Sequence, residues 1–147
     1  MYLGDFSLWN LESQSLFKNI KATYVFGNFI TEKTLQNKEV QELLQSNEHF
    51  DLVIVEHFFN DALKGFAAHF KAPLVLFSSM GSTEWNRECM GAPMLPTINA
   101  VTYTQYTNKM RFFQRLRNLY GTLFDYLYRH YVFYPEQRNY MAKYFPS

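Results

Sequence analysis

Cysteine is nearly missing from this chain. The single Cys89 rules out an internal disulfide and leaves no Cys-based metal site. An excess of charge of either sign is missing too. Against 14 Lys and Arg stand 13 Asp and Glu, so no overall basic field exists for nucleic acid, which is not expected as a partner. Long apolar runs are absent. The longest span four to six residues, far short of the roughly 20 that a membrane-spanning helix needs. The opening MYLGDFSLWN has no basic stretch followed by an apolar one, so no signal peptide is visible and the chain as written reads as soluble. GxGxxG and Walker patterns are missing, which excludes a glycine-rich phosphate cradle. So is GxSxG, which makes Ser78 and Ser79 poor nucleophiles and suits them to satisfying backbone groups at a strand end. The four histidines, at 49, 57, 69 and 130, lack HExxH or paired spacing, so no metal site is expected.

What is present is a globular composition. In 147 residues, 48% are hydrophobic, enough for one domain with its own core. Aromatic residues are dense, with 15 Phe, 11 Tyr and 2 Trp, and half of them lie in positions 101–147. The two ends of the chain therefore do different work.

Hydrophobic periodicity divides the sequence. Leu8, Leu11, Leu16 and Ile20 follow a weak helical period, and ATYVFGNF (22–29) reads as a short strand or a loop beside a cleft. NKEVQELLQSN (37–47) predicts a short helix capped by Asn37, with Glu39 in its first turn and Val40, Leu43 and Leu44 as its apolar face. FDLVIV (50–55) is apolar without alternation, which predicts a strand covered on both faces, as in a parallel sheet. Asn60 is placed to cap a following helix, with Asp61 in its first turn and Leu63, Phe66, Ala67 and Phe70 at i, i+3, i+4 and i+7. APLVLFSS (72–79) predicts a second buried strand with Pro73 at its start. Strand, helix and strand make a βαβ unit, whose two strands run parallel. Residues 80–107, rich in Gly, Pro, Thr and Asn, read as a long loop of the kind that is often functional. KMRFFQRLRNLYGTLFDYLYRHYVF (109–133) predicts one long helix. Met110, Phe113, Leu116, Tyr120, Leu123, Phe124, Leu127 and Tyr131 form its apolar side, with Arg111, Gln114, Arg115, Asn118, Asp125 and Arg129 opposite. Pro135 permits a new helix start.

Ligands of open parallel sheets bind beyond the carboxyl ends of the strands. Two such ends are visible, at Glu56-His57-Phe58 and at Ser78-Ser79-Met80-Gly81. Glu56 reads either as a solvated strand-end carboxylate or as a working one. His57 is its neighbour, but adjacent side chains of a strand face opposite ways, so the two meet only if the chain turns between them. Asp61 competes for the role, although its place in a first helical turn is already explained by the helix dipole. The 109–133 helix has two readings as well: a core-packing helix with a solvated face, or an interfacial helix resting on a membrane.

The stretch EVQELLQSNEHFDLVIVEHFFNDALKGFAAHFKAPLVLFSSMGSTEWN, continued by MGAPMLPTINAVTYTQYTNKMRFFQRLRNLYGTLFDYLYRHYVF, resembles the amino-terminal domain of UDP-glycosyltransferases, most of all the insect-type branch. The match runs from about residue 35 to 147, and residues 1–34 fit less distinctively. The resemblance implies an α/β fold: a partial Rossmann-like parallel sheet, the amino-terminal half of a GT-B fold, followed by a long loop and aromatic-rich helices. It implies one partial acceptor-binding domain over 1–147, with a βαβ core at 50–79, a loop at 80–107 and a helical segment at 108–147. In that family a histidine after the first strand deprotonates the acceptor, a carboxylate holds the histidine, and the sugar is transferred from UDP with inversion and without a metal. By position the carboxylate falls on Glu56, where many relatives have Asp. His57, Phe58, Ser79, Met80 and Trp85 are then expected to line the site of a small lipophilic acceptor.

The same resemblance implies a UDP-sugar as donor and no cofactor held by this chain. It places the first strand with its histidine upstream of Met1, and a carboxy-terminal UDP-sugar-binding domain beyond Ser147. It further implies detoxification at the luminal side of the endoplasmic reticulum membrane, with surface contact through 109–133. The expectation is a fragment, inactive alone. The alternatives are a catalytically dead module that binds ligands or pairs with intact relatives, and an unrelated flavodoxin-like binding domain.

Overall fold

In the computed structural model, residues 15–92, 94–107 and 109–145 are described. The element order is α1 (Leu16–Gln36), α2 (Lys38–Leu44), β1 (Val53–Glu56), a 3-10 turn (Asp61–Lys64), α3 (Gly65–His69), β2 (Leu74–Phe77), α4 (Glu84–Cys89), α5 (Phe112–Tyr128), a π-helical turn (Arg129–Phe133) and α6 (Tyr134–Tyr144). The two strands pair in parallel, Val53 with Leu74 through Glu56 with Phe77, and the 3-10 turn and α3 form the crossover. The chain is thus a mixed α/β structure with a parallel sheet, consistent with the amino-terminal half of a GT-B fold.

Local chemistry explains several boundaries. Asn37 caps α2 as its sequence predicts, its side chain accepting from the Glu39 N–H at 2.8 Å. Pro73, at the mouth of β2, spends only its carbonyl, which accepts from Val53 N. Gln114 reaches back to the Arg111 N–H at 2.8 Å and starts α5, three residues after the expected Lys109. Pro135 sits in the first turn of α6, where its missing donor costs nothing.

Other expectations are overturned. Residues 22–29 are neither strand nor loop but the middle of the 21-residue α1, because Leu16, Ile20 and Tyr24 bury one helical stripe. Leu8 and Leu11 lie outside the described residues. The strands are not covered on both faces: Ile54 is 65% exposed and every residue of β2 is exposed. Asn60 does not cap the crossover helix; its side chain accepts from the Phe58 N–H, so the segment opens as a 3-10 turn. The segment 80–107 is not all loop, since α4 lies within it.

The largest correction concerns α5. Most of its expected apolar side faces outward, with Phe113 79% exposed and Tyr120, Leu123 and Leu127 exposed as well, while Met110 is buried and Phe124 packs against the core. Its buried residues are Asn118, Gly121 and Asp125, and Arg129 follows them inside. Hydrogen bonding explains the inversion. Asn118 donates to the carbonyls of Pro96 and Asn99 and accepts from Val101 N, each at 2.8 Å, so it ties the preceding segment to the helix. Glu84 of α4 takes the N–H and hydroxyl of Thr102, each at 2.6 Å. Asn118 of α5 and Glu84 of α4 are buried because they satisfy a long irregular backbone.

The core is aromatic and lies among the helices rather than under the sheet. Leu16, Ile20, Tyr24, Phe59, Trp85 and Phe133 form its buried cluster. Phe59 packs tilted against Trp85 at 4.2 Å and edge-on against Tyr24 at 5.1 Å, centroid to centroid. It does so from a left-handed backbone conformation (φ 53°), a strained state for a bulky residue just beyond β1.

Candidate functional site

The site is built where β1 and β2 end side by side. Glu56 closes β1 and is exposed, and the Ser79 hydroxyl, just after β2, donates to its Oε1. Ser78 caps the other branch of this edge: its hydroxyl donates to Gly81 O at 3.2 Å and accepts from Asn86 Nδ2 at 2.7 Å. Asn86 also donates to Gly81 O at 2.9 Å, so α4 is clamped to the β2 loop.

The strand pleat sends Glu56 and His57 to opposite sides. Glu56 borders an apolar hollow of about 450 Å³ whose floor includes Leu52, Ile54, Phe66 and Phe70. His57 is buried and borders a different cleft of about 350 Å³, with Ser78, Gly81, Asn86, Cys89 and Met90. The structure therefore joins Glu56 with Ser79 and does not join Glu56 with His57. Met80 is exposed. Phe58 packs part-buried against the core. Trp85 does not line either space; it is 3% exposed within the aromatic core, because α4 turns that side chain inward onto Phe59.

His57 has its own partners. Its Nε2 lies 3.6 Å from Asp61 Oδ1 and 4.0 Å from Cys89 Sγ. Asp61 also receives Lys64. Burial pushes the Asp61 carboxyl up, but the His57 hydrogen bond and the Lys64 cation more than offset this and hold it below its ordinary value. Asp61 is thus an anchor for His57 rather than a simple dipole partner. Sequence spacing alone does not bring Cys89 to this histidine.

A second polar group escaped the sequence reading. Tyr24 donates to Asp125 Oδ1 at 2.7 Å, and Arg129 NH2 lies 3.5 Å from Asp125 and 3.1 Å from Glu88. His130 Nε2 meets the other Glu88 oxygen at 3.0 Å. Burial pushes Asp125 up to about 6, against the pull of Arg129 and of the Tyr24 hydrogen bond. Burial likewise pushes the Tyr24 and Tyr103 hydroxyls far above their ordinary range. The available signal was the spacing of Asn118, Asp125 and Arg129, one helical stripe of polar residues in an aromatic segment. Among the described residues no group of three His, Cys, Asp or Glu is arranged to hold a metal.

A parallel βαβ unit with a carboxylate at its carboxyl edge defines an α/β protein built to present polar groups at a sheet edge. Sequence comparison makes this specific. Residues 8–145 match the family described as UDP-glucoronosyl and UDP-glucosyl transferase, and the chain belongs to that family. It is 36% identical over 86 residues to UDP-glucosyltransferase 2 of Dactylopius coccus, covering 58% of this chain and 17% of that protein. It is 35% identical over 80 residues to UDP-glycosyltransferase UGT5 of the same insect, covering 54% and 15%. The matched stretch is thus a minor part of either relative's length. No solved structure matches significantly.

Proposed function

We propose that this chain supplies the acceptor side of a UDP-glycosyltransferase, which moves a hexosyl group from a UDP-sugar to a small lipophilic molecule with inversion. The observation that carries the reading is Glu56: an exposed carboxylate at the carboxyl end of a parallel strand, oriented by Ser79 from the neighbouring strand's loop. Membership of the transferase family supports it. Glu56 would hold a base in the orientation that takes the acceptor proton and would stabilise the cation formed there. His57 is not that base in this reading, since it faces away and is engaged by Asp61. The apolar walls beside Glu56 suit a lipophilic acceptor. The sugar-nucleotide domain is a partner in the same reading, and the luminal side of the endoplasmic reticulum membrane is its setting.

The test is made in a full-length transferase carrying this sequence. Glu56→Gln keeps size and removes charge, and kcat is expected to fall by about 100-fold or more. Glu56→Asp retains much of the activity if neighbouring groups adapt. Asp61→Asn is expected to leave kcat nearly intact while loosening His57. A fully active Glu56→Gln beside a dead Asp61→Asn moves the role to Asp61 and overturns the assignment.

A further inference from the structure

The thiol of Cys89 does not stand by itself. It ends α4 exposed, and behind it the buried His57 brings Nε2 to 4.0 Å from Sγ. The same Nε2 lies 3.6 Å from Asp61 Oδ1, which Lys64 also reaches. Sulfur, imidazole and carboxylate therefore meet where α4, the end of β1 and the crossover come together. Nε2 faces both partners: as a lone pair it accepts the thiol proton, and once protonated it has the carboxylate as its counter-ion. Asp61 keeps its charge for this, because His57 and Lys64 outweigh burial and hold its carboxyl low. The chemistry proposed for Glu56 uses none of these groups. The cleft of about 350 Å³ beside the sulfur is a built space with Leu76 and Met90 on its apolar walls. Asn86, also on its wall, is 7% exposed; its Nδ2 is committed to Ser78 and Gly81, while its Oδ1 is buried with no partner. A buried acceptor left open is costly unless something donates to it.

We propose that Cys89 undergoes thiol–disulfide exchange with a small peptide disulfide, one half of which stays bonded to Sγ in this cleft with an N–H on Asn86 Oδ1. His57 takes the proton from Sγ as the sulfur's electron pair attacks the nearer sulfur of the disulfide. The S–S bond breaks, and the far half leaves with that electron pair and recovers the proton from His57. One mixed disulfide and one free thiol result, so the disulfide itself is the oxidant and nothing further is consumed. With no second cysteine in these 147 residues to displace the adduct, it persists. The open acceptor selects the class of disulfide. Asn86 Oδ1 needs a donor, and a peptide bond supplies one, whereas a simple alkyl disulfide does not.

The test is the rate at which the full chain gains one peptide half from oxidised glutathione at neutral pH, followed by intact mass. The reference is the same chain unfolded in urea, whose thiol lacks His57. A free thiol is only a few per cent thiolate at neutral pH, so a base that removes its proton leaves room for roughly 10-fold or more. The folded chain is expected to react faster than the unfolded one by about that factor. His57→Gln should bring the folded rate down close to the unfolded rate. Asp61→Asn, which leaves the imidazole and removes its counter-ion, should slow the folded chain by a smaller factor and covers the case in which His57→Gln does not fold. Circular dichroism and melting establish which variants keep the fold. Dithiodipropionate has the same net charge as oxidised glutathione but no N–H. Relative to the unfolded chain, the folded chain should favour the peptide disulfide by about 5-fold, the scale of one hydrogen bond. A folded rate no faster than the unfolded one would make Cys89 an ordinary exposed thiol and overturn the proposal. So would folded His57→Gln and Asp61→Asn chains that react at the wild-type rate. Equal preference for the two disulfides would overturn the peptide as the ligand.

Discussion

Asp125 is a carboxylate 1% exposed among Tyr24, Arg129, Glu84 and Glu88, with its pKa pushed up to about 6 by burial. The unfolded chain holds that proton less tightly, near the ordinary 3.8. Between pH 4 and 6 the folded state therefore binds more protons, and stability falls as pH rises through this window. The contribution lost is about 3 kcal/mol for a shift of this size. Asp61, whose carboxyl is held low, acts with the opposite sign and only below about pH 4, so the windows separate. Denaturant titrations from pH 4 to 6 should show the wild-type chain losing stability relative to Asp125→Asn; parallel profiles would refute the linkage. Tyr24→Phe removes the hydrogen bond to Asp125 and should cost about 2 kcal/mol at neutral pH.

At the scale of elements, close approach decides more than propensity. Gly27 lies in the middle of α1, where alanine is ordinarily better by about 1 kcal/mol. A Cβ there would run into the Cβ of Phe59 and stand 2.6 Å from its carbonyl oxygen, on backbone already in the left-handed region. Gly27→Ala should therefore destabilise the chain by about 1–3 kcal/mol, the usual range for overpacking. Gly121 of α5 is the matched control. Its added Cβ would meet the far end of the Leu16 side chain at 2.7 Å, which can swing aside. Thermal melts should show a clear drop for Gly27→Ala and a smaller one for Gly121→Ala. Equal effects would mean that Phe59 is free to move. The π-helical turn between α5 and α6 belongs to the same scale: it buries Arg129 and Phe133 together, one in the ion network and one in the core.

For the whole molecule, the proposed acceptor role predicts that turnover needs a donor-binding partner. The chain presents a carboxylate edge, apolar hollows and no glycine-rich nucleotide cradle. Incubated alone with several UDP-sugars and a panel of phenols, it is expected to form no glycoside. A product that depends on the chain would show that it holds both donor and base. Tertiary ties across the molecule are polar as much as apolar. Gln137 of α6 donates to Asn28 Oδ1 at 2.7 Å and accepts from Ala62 N at 2.8 Å, joining α1, the crossover and α6 at one buried side chain.

The sequence by itself determined the elements whose signals are local. The apolar runs of β1 and β2 and the Asn37 cap needed only neighbouring residues to be recognised, and the pleat separated Glu56 from His57. Motif spacing in EVQELL through QRLRN carried the family. Tertiary structure decided which side of α5 faces inward. Hydrophobic periodicity assigns the apolar stripe to the core, but Asn118 and Asp125 have backbone carbonyls, amides and a tyrosine to satisfy, and those partners come from 17 to 101 residues away. It also decided that Trp85 packs inside and that Cys89 converges on His57, because contacts between distant segments leave no period in a sequence to read.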